Sequence, residues 1–382
     1  MHILIAPDKF KGSLTAKQAA HHIAAGIRRV LDSVTITQIP MADGGEGTVQ
    51  SLVDATGGQL VSIEVTGPLG TPVSASFGIL GDGQTAVIEM AAASGLALIT
   101  SAERDPENAT TYGTGELLLA AAKRGCRKVV IGIGGSATND GGAGMAQALG
   151  ARLLDASGRE LPPGGIHLAR LAKIDISGID PQVKRMSVVV ACDVTNPLCG
   201  VTGASTVYGP QKGATPEMVV RLDQALSHYA DIIARDLDKD VRNVPGAGAA
   251  GGLGAGLMAF LDAELERGVD IIIDVVGLDA AMQNCDLVIT GEGGVDAQTA
   301  FGKAPAGVAQ VAERYKKPVI VLAGSVADDA RSLHDHGLHA IFSLCRKPMS
   351  LGDAIAHGAK YLEDTAEEVA RLLVIGQQLS KS

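Results

Sequence analysis

Tryptophan is absent from the 382 residues, and aromatic side chains make up only 3%. A platform that stacks nucleobases needs many exposed rings, so that class of partner is excluded. Positive charge is also short: 32 Lys and Arg face 42 Asp and Glu, for a formal net charge of −10. A broad nucleic-acid surface requires the opposite sign. Charged residues are 19% against 46% hydrophobic, which excludes disorder as the main state. Cysteines number five (Cys126, Cys192, Cys199, Cys285 and Cys345), with no CxxC pair and no Cys/His zinc spacing. That usage excludes a secreted disulfide framework and fits a reducing, cytoplasmic setting. Long apolar runs are missing too. Ile3–Ala6 is too short for a signal peptide and meets Asp8 and Lys9. The uncharged run Val244–Leu261 approaches a membrane span and has Gly-xxx-Gly spacing, but it is half Gly and Ala and opens next to Pro245. It is read as a phosphate loop leading into a buried helix, and no membrane partner is expected.

Glycine is plentiful, at 49 residues, or roughly 13% where about 7% is usual. With no three-residue period, this glycine belongs to turns. Both chain ends alternate strand and helix. HILIAP, a helix from Thr15 to about Leu31, TITQIP and a loop MADGGEGT open the chain; DLVITG, Pro305–Lys316, PVIVLAG, Asp328–His336, HAIFSL and a long helix Leu351–Ile375 close it. Such alternation predicts a doubly wound parallel sheet. The middle differs, with two strand-like runs between Val61 and Leu80 around TGPLGTP, then TAVIEM, KVVIGIGG and SVVVACD. The expected fold is α/β. Residues 1–70 and 285–382 form one discontinuous doubly wound domain, and residues 71–284 an inserted α/β domain of mixed sheet.

Seven polar, glycine-rich stretches sit where strands end or helices begin. Loops at strand carboxyl ends form the ligand crevice of such sheets, and helix N-termini attract anions. APDKFKGSLTA offers Lys9 and Lys11 for a phosphate or carboxylate, Asp8 for Mg²⁺ or a hydroxyl, and Ser13 at a helix start. MADGGEGT places Asp43 and Glu46 around Gly44 and Gly45, a set suited to a hard cation. In YGTGELLLAAA, Thr114 reads as a cap and Glu116 as a first-turn acid. IGIGGSATNDGGAG contains Gly134, Gly135, Ser136, Asn139 and Asp140, suited to phosphate or metal–phosphate contacts. VVVACDVTNPLCG projects Asp193 from a buried strand, with Asn196 following. YGPQKGAT presents Gln211 and Lys212, the lysine as an anion contact; ITGEGGVDAQTAFGKAP carries Glu292, Asp296, Gln298 and Lys303.

Absent motifs narrow the chemistry further. No GxxxxGK[ST], HRD/DFG set, GxSxG or HExxH occurs, which excludes P-loop enzymes, protein kinases, elbow hydrolases and zincins. Gly132, Gly134 and Ala137 match the dinucleotide outline GxGxxG/A, with Asp155 about twenty residues on. A nicotinamide-dependent hydroxy-acid oxidoreductase is therefore the alternative reading.

Taken in order, APDKFKGSLTA, MADGGEGT, IGGSATNDGGAG, CDVTNPLCG, YGPQKGAT, GAAGGLGAG and GEGGVDAQTAFGKAP closely resemble the bacterial glycerate kinase family, from Ile3 to about Ser343. The resemblance implies two α/β domains, one Rossmann-like, with an active site in the cleft between them. It implies small-molecule substrates, ATP as cosubstrate with Mg²⁺, and formation of 2-phosphoglycerate by a monomer or homodimer. One departure stands out: the family loop usually reads GEGR, whereas position 294 here is Gly. A carboxylate- or phosphate-clamping arginine is lost there. Within this reading Asp193 is the expected base and Asp296 the second choice, with Lys9 also catalytic. Asp8, Asp43 and Glu292 are the expected metal ligands. Lys9, Lys11, Lys212 and Lys303 neutralise charge, and glycines of 134–142 and 251–254, Gly252 among them, lie along the nucleotide. Closure is expected to hinge near residues 70 and 285.

Overall fold

The computed structural model describes every residue except Asp43, Glu46, Phe301 and 380–382. Its strands are numbered β1 to β13 along the chain. Two compact units emerge: Met1–Gly57 with Val269–Ser382, and Gly58–Gly268.

The first unit holds a five-stranded sheet in the order β13-β12-β11-β1-β2, formed by Ala340–Ser343, Val319–Val326, Leu287–Val295, His2–Ile5 and Thr35–Gln38. Every pairing is parallel. Successive side chains of a strand point to opposite faces. Ile3, Ile5, Ile289 and Leu322 therefore share one core with Ala19, Ile23 and Ile27 of the helix Ala16–Arg28 and with Leu362, Ala366 and Val369 of the helix Gly358–Leu379. The alternate set, Leu4, Val288 and Val321, is fully buried on the other face. Thr15 opens the first helix with a capping box: its hydroxyl accepts from Gln18 N, and the Gln18 side chain accepts from Thr15 N. Gly26 lets the two helices touch, because a Cβ there would overlap the Glu363 carbonyl.

The second unit carries a six-stranded sheet, β10-β9-β6-β5-β4-β3. Its strands are Glu264–Glu266, Ser187–Ala191, Lys128–Gly132, Thr85–Glu89, Pro72–Ile79 and Gln59–Thr66. β5, β6, β9 and β10 run parallel, while β3 and β4 are antiparallel additions. A small antiparallel pair, β7 (Arg152–Leu154) with β8 (Lys173–Asp175), stands apart. The run GAAGGLGAG forms a kinked, buried helix start and not an open loop. Ala250, Gly251 and Gly252 take φ of 53°, 69° and 90° and feed a helix that is buried almost throughout.

Three sequence expectations change. The unit boundaries fall at Gly57/Gly58 and Gly268/Val269, before 70 and 284, because β3 pairs with β4 from Gln59 to Thr66 and Val269 packs under Gly307 of the helix Ala304–Arg314. The closing helix is two helices, Leu351–Ala356 and Gly358–Leu379. β11 continues through the GEGG stretch instead of ending before it. Among the described residues no helix is long and apolar enough to cross a membrane.

Candidate active site

In the first unit, β1 lies between β2 and β11, so the crossovers run outward in opposite directions from the β1/β11 pair. This is the topological switch point of a doubly wound sheet, where ligand crevices form. Past β1 the chain stays beside β11: Ala6 N donates to Ile289 O and Asp8 N to Gly291 O, both at 2.8 Å. Asp8 is thereby delivered next to the segment that carries Glu292. It is buried, and its Oδ1 accepts Lys9 N at 2.6 Å. Gly293 permits the close passage of this loop, since a Cβ there would come 3.2 Å from Lys11 N.

Glu292, half-buried, accepts from Thr299 Oγ1 at 3.1 Å and lies 3.7 Å from Lys303 Nζ. Lys303 also reaches Asp296 at 3.5 Å and Thr299 Oγ1 at 3.3 Å. Lys303 occupies the N-cap position of the helix Ala304–Arg314. A cation at that positive helix end is electrostatically unfavourable, and the two carboxylates offset it. The result is a lysine at a helix start with two carboxylates, Glu292 and Asp296, within 3.7 Å of its ammonium. Burial raises the Asp296 carboxyl, but Lys303 and the Thr299 donors outweigh it and hold it below the usual carboxylate range. Thr299 was not singled out from sequence; its place three residues after Asp296, the spacing of a side-chain-capped turn, was the available signal.

Lys9 and Lys11 line a groove of about 580 Å³ with Gln18, Gly45 and Gly47. Ser13 lines it as well, but its hydroxyl donates to Ile355 O at 2.7 Å, so it anchors the loop to the helix Leu351–Ala356. Gly44 lies in the neighbouring bend with φ 85°; Asp43 and Glu46 lie outside the described residues. Gln298 is exposed on the short turn Ala297–Ala300.

In the second unit, Gly132 of β6 is level with Ala191 of β9. Gly134–Ser136 and Asp193 therefore leave the same carboxyl edge. Gly134 and Gly135 are exposed, a Cβ at 134 would meet nothing within 4 Å, and Gly135 has φ 73°. A ligand can approach this backbone closely. Ser136 is buried and bridges Gly95. Asp193 is exposed, and its Oδ1 accepts Gly268 N at 3.1 Å.

Several residues expected to contact ligand make hydrogen bonds within the second unit. Asp140 is fully buried; its carboxylate accepts from Thr111 N, Thr111 Oγ1, Gly142 N and Gly144 N at 2.8, 2.9, 3.2 and 3.2 Å. Burial pushes its carboxyl upward against those donors. Asn139, also buried, donates to Ser205 Oγ at 2.9 Å. Lys212 is no loop-surface anion contact: it is 1% exposed, donates to Thr138 O at 2.6 Å, and is lowered to about 7 by burial, opposed by Asp140. Asn196 bonds Thr202 O and Tyr208. Gln211 is exposed, its carbonyl accepting from Arg104. A Cβ on Gly252 would lie 2.9 Å from Gly141 Cα, so that glycine serves backbone packing. Thr114 bonds Ser94 rather than capping, and Glu116 accepts Thr66 N at 2.6 Å.

The dinucleotide fingerprint fails on the same grounds. Asp155 accepts from Ser157 N and Arg159 N inside its own turn, and the loop after β6 runs to residue 142 before a six-residue helix begins. Among the described residues no group of three His, Cys, Asp or Glu is arranged to hold a metal ion. Mg²⁺ in phosphoryl-transfer sites needs only one or two carboxylates beside substrate phosphates, a demand that Asp8 and Glu292 on adjoining backbone segments fit.

The chain matches the model of the glycerate kinase family over residues 3–374. It is 52% identical to "Glycerate kinase" of Bacillus subtilis (strain 168) over 379 residues, covering 99% of each chain. It is equally 52% identical to "Glycerate 2-kinase" of Escherichia coli (strain K12) over 378 residues, again covering 99% of each. A crystal structure of a candidate glycerate kinase 2 from Salmonella typhimurium LT2 matches with TM-score 0.92 at 53% identity over 99% of both chains. Fold, strand-edge loops and full-length matches together define an α/β phosphotransferase. The chain belongs to the glycerate kinase family.

Proposed function

We propose that this chain is a cytoplasmic enzyme that transfers the γ-phosphoryl group of ATP to the 2-hydroxyl of glycerate, giving 2-phosphoglycerate and ADP. The observation that carries this reading is the charge set of the first unit, with Asp8 and Glu292 at the switch point and Lys303 held by acids at a helix start. The names borne by the Bacillus and Escherichia relatives supply the acceptor. In the proposed step the glycerate oxygen attacks the γ-phosphorus in line. The bond to the β-bridging oxygen breaks, ADP departs, and the hydroxyl proton passes to a carboxylate, for which Asp193 is assigned. Lys303 exchanges its carboxylates for phosphate oxygens, while Lys9 and Lys11 neutralise the remaining phosphate or the glycerate carboxylate. Gly134 and Gly135 offer exposed backbone N–H groups at a strand end of the second unit. Mg²⁺, held by Asp8 and Glu292 with Asp43 as a further candidate, would supply charge neutralisation on the phosphate oxygens. Positioning and electrostatics provide most of the acceleration in such transfers.

A coupled ADP-release assay tests this directly. With ATP, Mg²⁺ and glycerate the rate is expected to depend on all three. Glycerate binding without ADP release points to a non-catalytic sensor, and nicotinamide reduction to an oxidoreductase; either result overturns the proposal.

A further inference from the structure

Beside the charged switch point the first unit has a cavity of about 300 Å³ of quite different character. Its walls are Leu344, Met349, Leu351, Ala354, Ile355 and Tyr361, with Phe10 among its lining residues. It opens at the carboxyl ends of β11 and β12, where Gly293 and Ser325 line it. Lys11, which also lines the basic groove of the first loop, is shared by both spaces. Leu351 stands at its edge 76% exposed, an apolar side chain that folding of this unit leaves in water.

We infer that this cavity receives the purine base of the nucleoside triphosphate, an assignment that rests on the kinase reading. Glycerate is a small acid bearing a carboxylate and two hydroxyls. In an apolar cavity those groups would lose water without gaining partners. A flat heteroaromatic base has the opposite needs: apolar walls against its faces and a few polar atoms at its edge. The volume lies at the lower end of the range for ligand pockets, about 300–1,000 Å³. The sharing of Lys11 gives the direction of the molecule. A base in the cavity sends its phosphates past Lys11 toward Asp8, Glu292 and Lys303. The nucleotide is thus held by the doubly wound unit.

Cys345 supplies a probe. It lines the cavity, its thiol donates to Gly324 O at 3.3 Å, and it is exposed. Cys126 and Cys285 are buried, and burial pushes the thiols of Cys192 and Cys199 up, the latter to about 12. Alkylation of the intact enzyme by N-ethylmaleimide, mapped by mass spectrometry, will mark Cys345 first. ATP and phosphate-free adenosine are both expected to slow that reaction, and inorganic triphosphate and glycerate to leave it unchanged. Two variants give the kinetic counterpart. Ala354→Phe fills the cavity and Leu351→Ser strips its exposed edge. The first should raise the KM for ATP about tenfold and the second several-fold, with the KM for glycerate held. Turnover with ATP while adenosine and ATP both fail to protect Cys345 overturns the cavity assignment and leaves the kinase reading intact. Protection by triphosphate as strong as by ATP overturns it as well, since the thiol then senses phosphates alone. Absence of turnover with every nucleotide overturns the underlying reading instead, and adenosine protection still decides the cavity on its own.

Discussion

Asp193 and Asp296 differ in what surrounds them, and the difference decides which serves better as a base. Lys303 and Thr299 stabilise the ionised form of Asp296, which weakens it as a proton acceptor. Asp193 stands exposed at the end of a buried strand, positioned through the Gly268 N–H. Asp193→Asn can keep that hydrogen bond while removing the basic oxygen. It should lower kcat by at least about 10²-fold with nucleotide binding retained. Rapid-quench turnover and calorimetric nucleotide titration check both halves; near-normal turnover would remove Asp193 from the reaction. Lys212 invites a different measurement. Its folded value of about 7 lies below the ordinary 10.5, so from pH 7 upward the unfolded chain binds more protons than the folded one. Stability must therefore rise with pH through that window, and the cost of burying the ammonium is fully present below pH 7. The thiols with raised values act only above their ordinary 9.0, and the raised carboxyl of Asp140 opposes the lysine, so between roughly pH 7 and 8.5 the comparison with Lys212→Met isolates the lysine's share. The melting temperature of the wild-type chain should climb across this range, and Lys212→Met should flatten the slope. An equal slope in both proteins would contradict the assignment.

At the scale of elements, the pairing of β11 with β12 controls the most unusual position of the site. Gly294 is opposite Ser325, and a Cβ at 294 would come 2.7 Å from Ser325 Oγ. The obstructing atom is a rotatable hydroxyl rather than backbone, so a side chain fits once that hydroxyl turns. Gly294→Arg should raise kcat/KM for glycerate by restoring a planar anion clamp, and Gly294→Arg with Ser325→Ala should raise it further. Unchanged or lower values in both variants would refute this. The same strands show what the sequence could disclose. Periodicity marked β1 and β12 correctly because their apolar runs are mostly buried on both faces, and the edge strands β2 and β13 through their short apolar runs beside turn residues. It ended β11 too early, because GEGG reads as a turn; in the fold Gly293 and Gly324 allow their backbones to lie side by side. It also fused two helices at the C-terminal end. The break at His357 depends on Gly358 packing against Ser13, a contact 345 positions away along the chain and invisible to local pattern.

Across the whole molecule, the discontinuous layout was legible because both ends share one alternating grammar and the middle does not. The boundaries were less so, since neither β3 nor the helices Gly268–Val275 and Leu278–Gln283 carry a compositional mark. The placement of loops was legible where a strand delivers them: Asp8, Gly134 and Asp193 follow strand ends, Glu292 lies near the carboxyl end of β11, and Asp296 just beyond it. Asn139, Asp140, Lys212 and Gly252, expected on open loops, are instead buried within the second unit. Burial of that kind is a tertiary property with no local sequence signature. Phosphorus NMR of a reaction containing ATP, Mg²⁺ and glycerate tests the central claim most directly. The account predicts one new monoester resonance, split into a doublet by the single proton on C2, growing in step with ADP. A resonance coupled to two protons would place the phosphate on the 3-hydroxyl, and release of inorganic phosphate alone would mean that glycerate is not the acceptor.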